Sequence, residues 1–543
     1  MSERAILLLV ACFLVGFLSG QWSQIEIAGY PTEQQIFAEF FPNHRFNYQW
    51  GRNSISAYKL GYGQGAIPGK ALGRVPLNLV VNFWNPVSKL NRSELEAVLA
   101  GNLTNWRSLG GDDLPIKVVA YTGEDYSRLT AFAVSPFQVV ATQQEMVAAV
   151  ASDRGALGVL TWPALRPQVK VLTLEGINPA WVQSRQELEN YPLWTDLILT
   201  PPRTKVKDWF SGKLWLALRF RRRLGQSFSP TKLLWGRAPL ILATAGDIML
   251  DREVAKTSIR KGDYRYPFLK TASIFRRSSL AFANLESPVS DQGRQLNMFR
   301  ADPRFLEGLL YAGFDIVSLA NNHIMDYGAA ALIDTMKRLE EQGLLYVGVG
   351  RNLHQARQGC LLALNGLKVG FLAYTELGPG FTYTREPQHW AATSKLPGVV
   401  PAREDYIRED VSRMKKEADL VFLSMHWGKE YQRDPTEQQR LLGRTALAAG
   451  ADLVLGHHPH VIQGLEFGSK GLIAYSLGNF IFDQLWEATK QGLILEAACD
   501  RQGLKQIRLT PIVLREEQPV VAEGVPARQI MQEVASVSQG LNN

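Results

Sequence analysis

From Leu240 to about residue 515 the chain alternates short apolar runs with amphipathic stretches, and this alternation constrains the fold more than any other feature. LILATAGD (240–247) and LAFANLES (280–287) are strand-like. FDIVSLANNH (314–323) follows, then the helical AAALIDTMKRLEEQG (329–343). LKVGFLAYTE (367–376) precedes the helical YIREDVSRMKKEA (406–418), and ADLVFLSMHWG (418–428) precedes the helical TEQQRLLGRTALAAG (436–450). ADLVLGHHPH (451–460) and LIAYSLGNF (472–480) close the series. Strands that are apolar at nearly every position are buried on both faces. Helices must therefore cover them, which predicts an α/β fold. In sheets of this kind, chemistry collects in the loops leaving the carboxyl ends of the strands.

The unusual polar residues obey that rule. Asp247 ends the first run, Asn284 and Glu286 the second, and Asn321, Asn322 and His323 the third. His426 follows LVFLSM, and His457, His458 and His460 follow LVLG. The chain has eight histidines, and five of them stand at these strand ends, so their placement is the signal. Oxygen and imidazole donors without thiolates suit Zn, Mn or Fe. Two such ions need a bridging carboxylate with His, Asp or Asn around it, and together they activate a water and polarise a scissile bond. His458 and His460, two apart on a loop stiffened by Pro459, can reach adjacent ions. Taken alone, HHPH would read as a surface turn.

GDIMLDR (246–252), NLESP (284–288), ANNHIMDYG (320–328), HWGKEY (426–431), GHHPHVIQ (456–463) and SLGNFIFDQ (476–484) occur in that order. Together they resemble the CapA family, poly-γ-glutamate capsule biosynthesis proteins of the metallophosphatase (calcineurin-like) superfamily. The resemblance spans roughly 239–515. It implies a four-layer α/β/β/α metallophosphatase-like sandwich over 239–520 and one or two divalent ions (Mn, Zn or Fe). It further implies that Asp247 is the first metal-binding Asp and that Glu286 stands in for the bridging Asp. Asn322, His426, His458 and His460 complete the implied metal set, His426 also counting as catalytic. His323 is the implied acid or transition-state stabiliser. One position departs from the pattern. The superfamily's first motif is D-x-H, and here it reads Asp247-Ile248-Met249, so a thioether replaces an imidazole and leaves the first ion one ligand short. Arg252, Glu376 and Glu430 flank these loops as candidate substrate contacts, or else as salt-bridged rim residues. His457 is read as facing the substrate or backing a ligand. Asn479 and Asp483 belong to the closing motif, in a structural or a catalytic role.

Residues 77–180 carry a second resemblance, to periplasmic phosphate-binding proteins, through LNLVVNFWNPVSKLNRSELEAVLAGNLTNW and LPIKVVAY. It implies a smaller α/β periplasmic-binding-protein-like domain over 26–200. The stretch matching the anion loop, YTGEDYSRLTAF, contains Glu124 and Asp125, which would repel an anion. A degenerate solute-binding module, serving as spacer or docking domain, is the expectation.

The net charge is +8, but residues 203–237 hold ten Lys and Arg against one Asp, so the rest of the chain sums to −1. Local basicity of this kind excludes a nucleic-acid-coating protein. The segment 201–238 is read as a basic aromatic linker, resting on anionic lipid, binding a polyanion or packing by its aromatics on a neighbouring domain. Residues 1–25 carry an apolar run, Ala5 to Leu18, behind Arg4. It reads as an uncleaved membrane anchor that leaves the bulk of the chain extracytoplasmic, with a cleaved signal and secretion as the alternative. Cys360 and Cys499, the cysteines outside this run, allow one disulfide but no framework. Residues 521–543 are read as a C-terminal tail.

These readings add up to a membrane-anchored extracytoplasmic metallohydrolase involved in synthesis, export or trimming of poly-γ-glutamate or a related surface polymer. A phosphoesterase using the same site, or a non-catalytic binding subunit of a polymer-export complex, are the alternatives. The expected partners are an anionic polymer or phosphoester substrate, the membrane and a polymer-synthesis complex, with no nucleic acid.

Overall fold

Two β-sheets face each other in the C-terminal half of the computed structural model. In the first, strands β1 (Leu240–Ile248), β2 (Leu280–Leu285) and β3 (Ile316–Ser318) run parallel, with Leu345–Val347 beyond β3. On the other side of β1 the sheet continues antiparallel through Gln491–Asp500, Gly503–Arg515 and Gln518–Val521. In the second, β4 (Leu420–His426) and β5 (Leu453–His457) run parallel between Leu367–Thr375 and Leu472–Ala474. All nine residues of β1 and all seven of β4 are buried, as their largely apolar character leads one to expect, with Asp247 and His426 buried near their carboxyl ends.

The sheets meet through aromatic rings. Phe282 of the first stacks on Phe371 of the second at 5.6 Å, and Phe371 meets Phe422 edge-on at 5.4 Å. Each such buried ring stabilises the fold by roughly 1.5–3 kcal/mol. Helices cover the outer faces. Leu332, Met336 and Leu339 pack toward the first sheet, and Ile407, Val411, Leu442 and Ala446 toward the second. The result is a four-layer α/β/β/α sandwich.

The described residues are 25–29, 46–50, 58–63, 70–121, 138–200, 238–378, 390–469 and 471–542. The apolar run at 5–18, most of YTGEDYSRLTAF and the basic segment 203–237 lie outside them. Among the described residues no helix is long and apolar enough to cross a membrane. Cys360 and Cys499 are both free thiols, so the disulfide they allowed is not formed. The expected tail at 521–543 is instead a docked helix. Gly524–Gln539 buries Ile530, Val534 and Ser538 against the sandwich, and the Ser538 hydroxyl accepts a hydrogen bond from Leu465 N.

The N-terminal domain is a smaller α/β unit with two five-stranded sheets. One contains Ile25–Gly29 and Lys70–Pro76, and the other Asn78–Asn82 and Ala156–Leu160. Strand Trp194–Thr200 brings the chain back to the first of them. The domain is tied to Gly503–Arg515 of the sandwich. There Gln506 Nε2 donates to Val169 O (2.9 Å), and its Oε1 accepts from Val171 N (3.0 Å). Lys505 Nζ donates to Pro163 O, Trp162 Nε1 donates to Asp500, and Phe83 packs edge-on to Phe467.

Candidate metal centre

Strand register brings the polar ends together. Asp247 lies opposite Asn284 on one side and Asn479 on the other. His426 lies opposite His457 at the ends of β4 and β5. Two glycines allow the approach. A Cβ at Gly246 would lie 1.8 Å from Gly478 O, and one at Gly456 would lie 1.8 Å from Tyr475 O. Beyond β5 the backbone is strained, because His458 (φ 94°) and His460 (φ 57°) occupy the left-handed region. Such conformations cost about 1–3 kcal/mol each and persist where the surroundings enforce them. Here Asp247 Oδ2 accepts from His458 N (3.1 Å), and His460 Nδ1 meets Asn479 Oδ1 at 2.9 Å.

Six expected metal ligands converge, all buried: Asp247, Glu286, Asn322, His426, His458 and His460. Glu286 is at the centre. Its Oε1 lies 3.8 Å from His426 Nε2 and 3.9 Å from His460 Nε2, where a bridging carboxylate would stand. Asn284 Nδ2 donates to Asp247 Oδ1 (2.8 Å) and to Glu286 Oε2 (3.3 Å), holding the two carboxylates side by side. His426 Nε2 meets Asn322 Oδ1 at 2.8 Å. Asn321 backs the set: its Nδ2 donates to Asn284 Oδ1 (3.1 Å), and its Oδ1 accepts from His323 N and Ile324 N to shape the loop.

The electrostatics suit a cation. Burial, with Asp247 alongside, pushes the Glu286 carboxyl well above its ordinary range. Burial acts on Asp247 the same way, but His457, His460 and His426 pull its carboxyl below the usual value. Burial holds His426 well below an ordinary imidazole and His458 at about 3, each aided by a neighbouring histidine. Neutral imidazoles and crowded carboxylates are the state in which a site takes a divalent ion. Glu286 Oε1 and His458 Nδ1 are buried with no hydrogen-bond partner, which is rare in a finished core. One donor each from Asp247, Glu286 and His426 fall within 4.8 Å of one another, as do one each from Glu286, His458 and His460. The donor set fits one or two divalent ions sharing Glu286.

His323 adjoins this set without joining it. Its Nδ1 meets Asp326 Oδ2 at 2.8 Å, and its ring packs on Phe299 at 4.2 Å. Asp326 Oδ2 also accepts from Phe299 N, so the carboxylate orients the ring. Asp326 and Phe299 escape a sequence reading. The signal for Asp326 was an acid three residues after a loop histidine, and Phe299 carried none. The rim residues differ among themselves. Arg252 pairs with Asp483 and lies over the Phe299 ring at 4.8 Å, half-exposed. Glu376 Oε2 accepts from Gly428 N, which ties two loops together. Glu430 is exposed and adds to the upward push on Glu286. His457 is buried, its Nδ1 3.2 Å from Asp247 Oδ1, a position that backs Asp247.

Residues 241–484 match the model of a bacterial capsule synthesis protein family, and residues 64–203 match a periplasmic-binding-protein (PBP) superfamily domain. The chain is 33% identical over 327 residues to the PGA biosynthesis protein CapA of Bacillus subtilis, covering 58% of this chain and 82% of that one. It is 32% identical over 292 residues to the capsule biosynthesis protein CapA of Bacillus anthracis, covering 52% and 69%.

Proposed function

The chain belongs to the CapA family of capsule synthesis proteins, and from that premise we propose that it is a membrane-anchored, extracytoplasmic, metal-dependent hydrolase of poly-γ-glutamate or a related anionic surface polymer. The observation that carries the reading is the unpartnered Glu286 Oε1, buried between His426 Nε2 and His460 Nε2. Asp247, Glu286, Asn322, His426, His458 and His460 would hold the metal. When bound, a divalent ion supplies Lewis acidity toward a carbonyl oxygen and lowers the pKa of a water.

The chain's own groups do the rest. Asp326 accepts from Phe299 N at the same oxygen that meets His323, so His323 Nδ1 carries the proton of that contact. His323 Nε2 is then the atom that holds or hands over a proton at the leaving nitrogen. Phe299 packs on His323, and Phe482 packs on His460 at 4.7 Å, excluding water from that side. Arg252, half-exposed over Phe299, offers a cation to a polymer carboxylate. The exposed Glu430 repels a polyanion, which favours a path on the Arg252 side.

Purified protein supplied with Mn²⁺ should shorten poly-γ-glutamate. His458→Ala should lose about 10²-fold or more of that activity with the fold retained. Undiminished cleavage by the variant would overturn the reading, and hydrolysis of phosphate esters with polyglutamate untouched would make the site a phosphoesterase. A chain starting at residue 26 should leave the membrane fraction.

A further inference from the structure

Asn479 lies outside the candidate ligand set but touches it from behind. It is fully buried at the start of the strand Asn479–Ile481, where it pairs with Asp247. Both polar atoms of its amide are engaged. Oδ1 meets His460 Nδ1 at 2.9 Å, while Nδ2 donates to Thr489 O at 2.9 Å and to Gln484 Oε1 at 3.0 Å. Gln484 is held in turn, its Nε2 donating to the Tyr431 hydroxyl at 3.2 Å. The turn that offers Thr489 O is closed by Trp486 O, which accepts from Thr489 N, Lys490 N and the Thr489 hydroxyl.

These contacts decide where the protons lie. Thr489 O is a backbone carbonyl and can only accept. The amide nitrogen of Asn479 must therefore face it, because the reverse orientation would set two oxygens 2.9 Å apart with no proton between them. With the amide so fixed, Oδ1 faces His460 and can only accept, so His460 Nδ1 carries the hydrogen. A second acceptor, Asp247 Oδ2, lies 3.6 Å from the same nitrogen and favours the same tautomer. A neutral imidazole protonated at Nδ1 has its lone pair at Nε2. That atom lies 3.9 Å from Glu286 Oε1, too far for a direct hydrogen bond, and Glu286 Oε1 has no other partner. His460, Glu286 and His458 each place a donor within 4.8 Å of the others, the spacing of groups that can share an ion.

We propose that Asn479 is a positioning residue of the candidate metal centre, holding His460 in the Nδ1-protonated tautomer so that Nε2 is presented to an ion shared with Glu286. This rests on the metal-dependent reading above. The two ends of the amide have separate tasks. Oδ1 orients the imidazole, and Nδ2 anchors the amide to the turn at 484–490. Substitution can separate them.

The test is Mn²⁺ binding to the full chain, by equilibrium dialysis with metal analysis and by the EPR signal of free Mn²⁺. Asn479→Leu keeps the volume and removes both ends, and affinity should fall about 10–100-fold, as for other residues that support a ligating imidazole. Asn479→Asp keeps an acceptor for His460 Nδ1 and loses the donor to Thr489 O. It should bind Mn²⁺ at least as tightly as the parent, since a carboxylate raises the basicity of the imidazole it holds. Both variants lose the bond to Thr489 O, so both should melt below the parent in chelator. A residue that only packed the turn would weaken Mn²⁺ binding equally in the two. If the leucine variant does not fold, Asn479→Ala removes the acceptor without adding apolar bulk. Parent affinity in the leucine or alanine variant, or equal losses in it and in Asn479→Asp, overturns the inference and leaves the metal-dependent reading standing. A parent chain that binds no Mn²⁺ overturns both.

Discussion

Glu286 and His458 are titratable side chains that burial leaves with an unpartnered polar atom. Neither would be placed in a core for stability, since both carry an unpartnered atom there. His458 yields a prediction with a definite sign. Its pKa is held at about 3 in the folded chain, by burial first and then by His460, against about 6.5 for a free imidazole. Between these values the unfolded chain binds the extra proton, so stability rises with pH across that window and is flat, for this group, above it. Metal-stripped protein should therefore lose up to about 4 kcal/mol from this residue as pH falls from 6.5 toward 3. His458→Ala should melt with a shallower pH dependence over the same range, measured by thermal unfolding in chelator. An equal slope in both proteins would show that His458 does not carry the effect.

The strands of the sandwich are legible in the sequence because burial on both faces leaves an unbroken apolar run, and because each run ends where its polar residues begin. β1 and β4 are the clearest cases. What escapes such a reading depends on pairing across sequence distance. Nothing local marks Asn479 as the neighbour of Asp247 or as the partner of His460. Nothing local turns 521–543 from a tail into a helix docked on Leu465. The turn after β5 carries its own prediction. Gly456 lies against Tyr475 O so closely that an added Cβ would sit 1.8 Å away. Gly456→Ala must push β5 from its neighbour, at a cost of about 1–3 kcal/mol or more. Because His457, His458 and His460 follow directly, Mn²⁺ uptake should fall along with the melting temperature. A variant that lost stability but kept full uptake would show that the loop's position does not depend on that contact.

At the scale of the molecule, one set of the described contacts between the two domains lies far along β1 from the candidate metal centre. β1 runs from Leu240, which pairs with Cys499, to Asp247 at the candidate metal centre and on to Ile248. The domain contacts at Asp500, Lys505 and Gln506 lie at the Leu240 end, about 23 Å of strand from Asp247. At the rim of the candidate centre Arg252 is half-exposed, and Tyr431 and Trp486 are exposed. Gln506 is the residue on which this separation can be tested. It is 1% exposed, and besides its bonds to Val169 O and Val171 N it donates to Arg166 O at 3.2 Å. Gln506→Ala leaves those backbone groups buried without partners, at about 1–3 kcal/mol each. The interface should loosen, and limited proteolysis should cut faster between the domains. Mn²⁺ uptake should stay at the parent level, because no ligand is held by that end of the sheet. Faster cutting with metal retained is the signature of two domains joined at one pole and working at the other. A loss of metal in step with the loosening would mean that the N-terminal domain supports the centre through the length of β1.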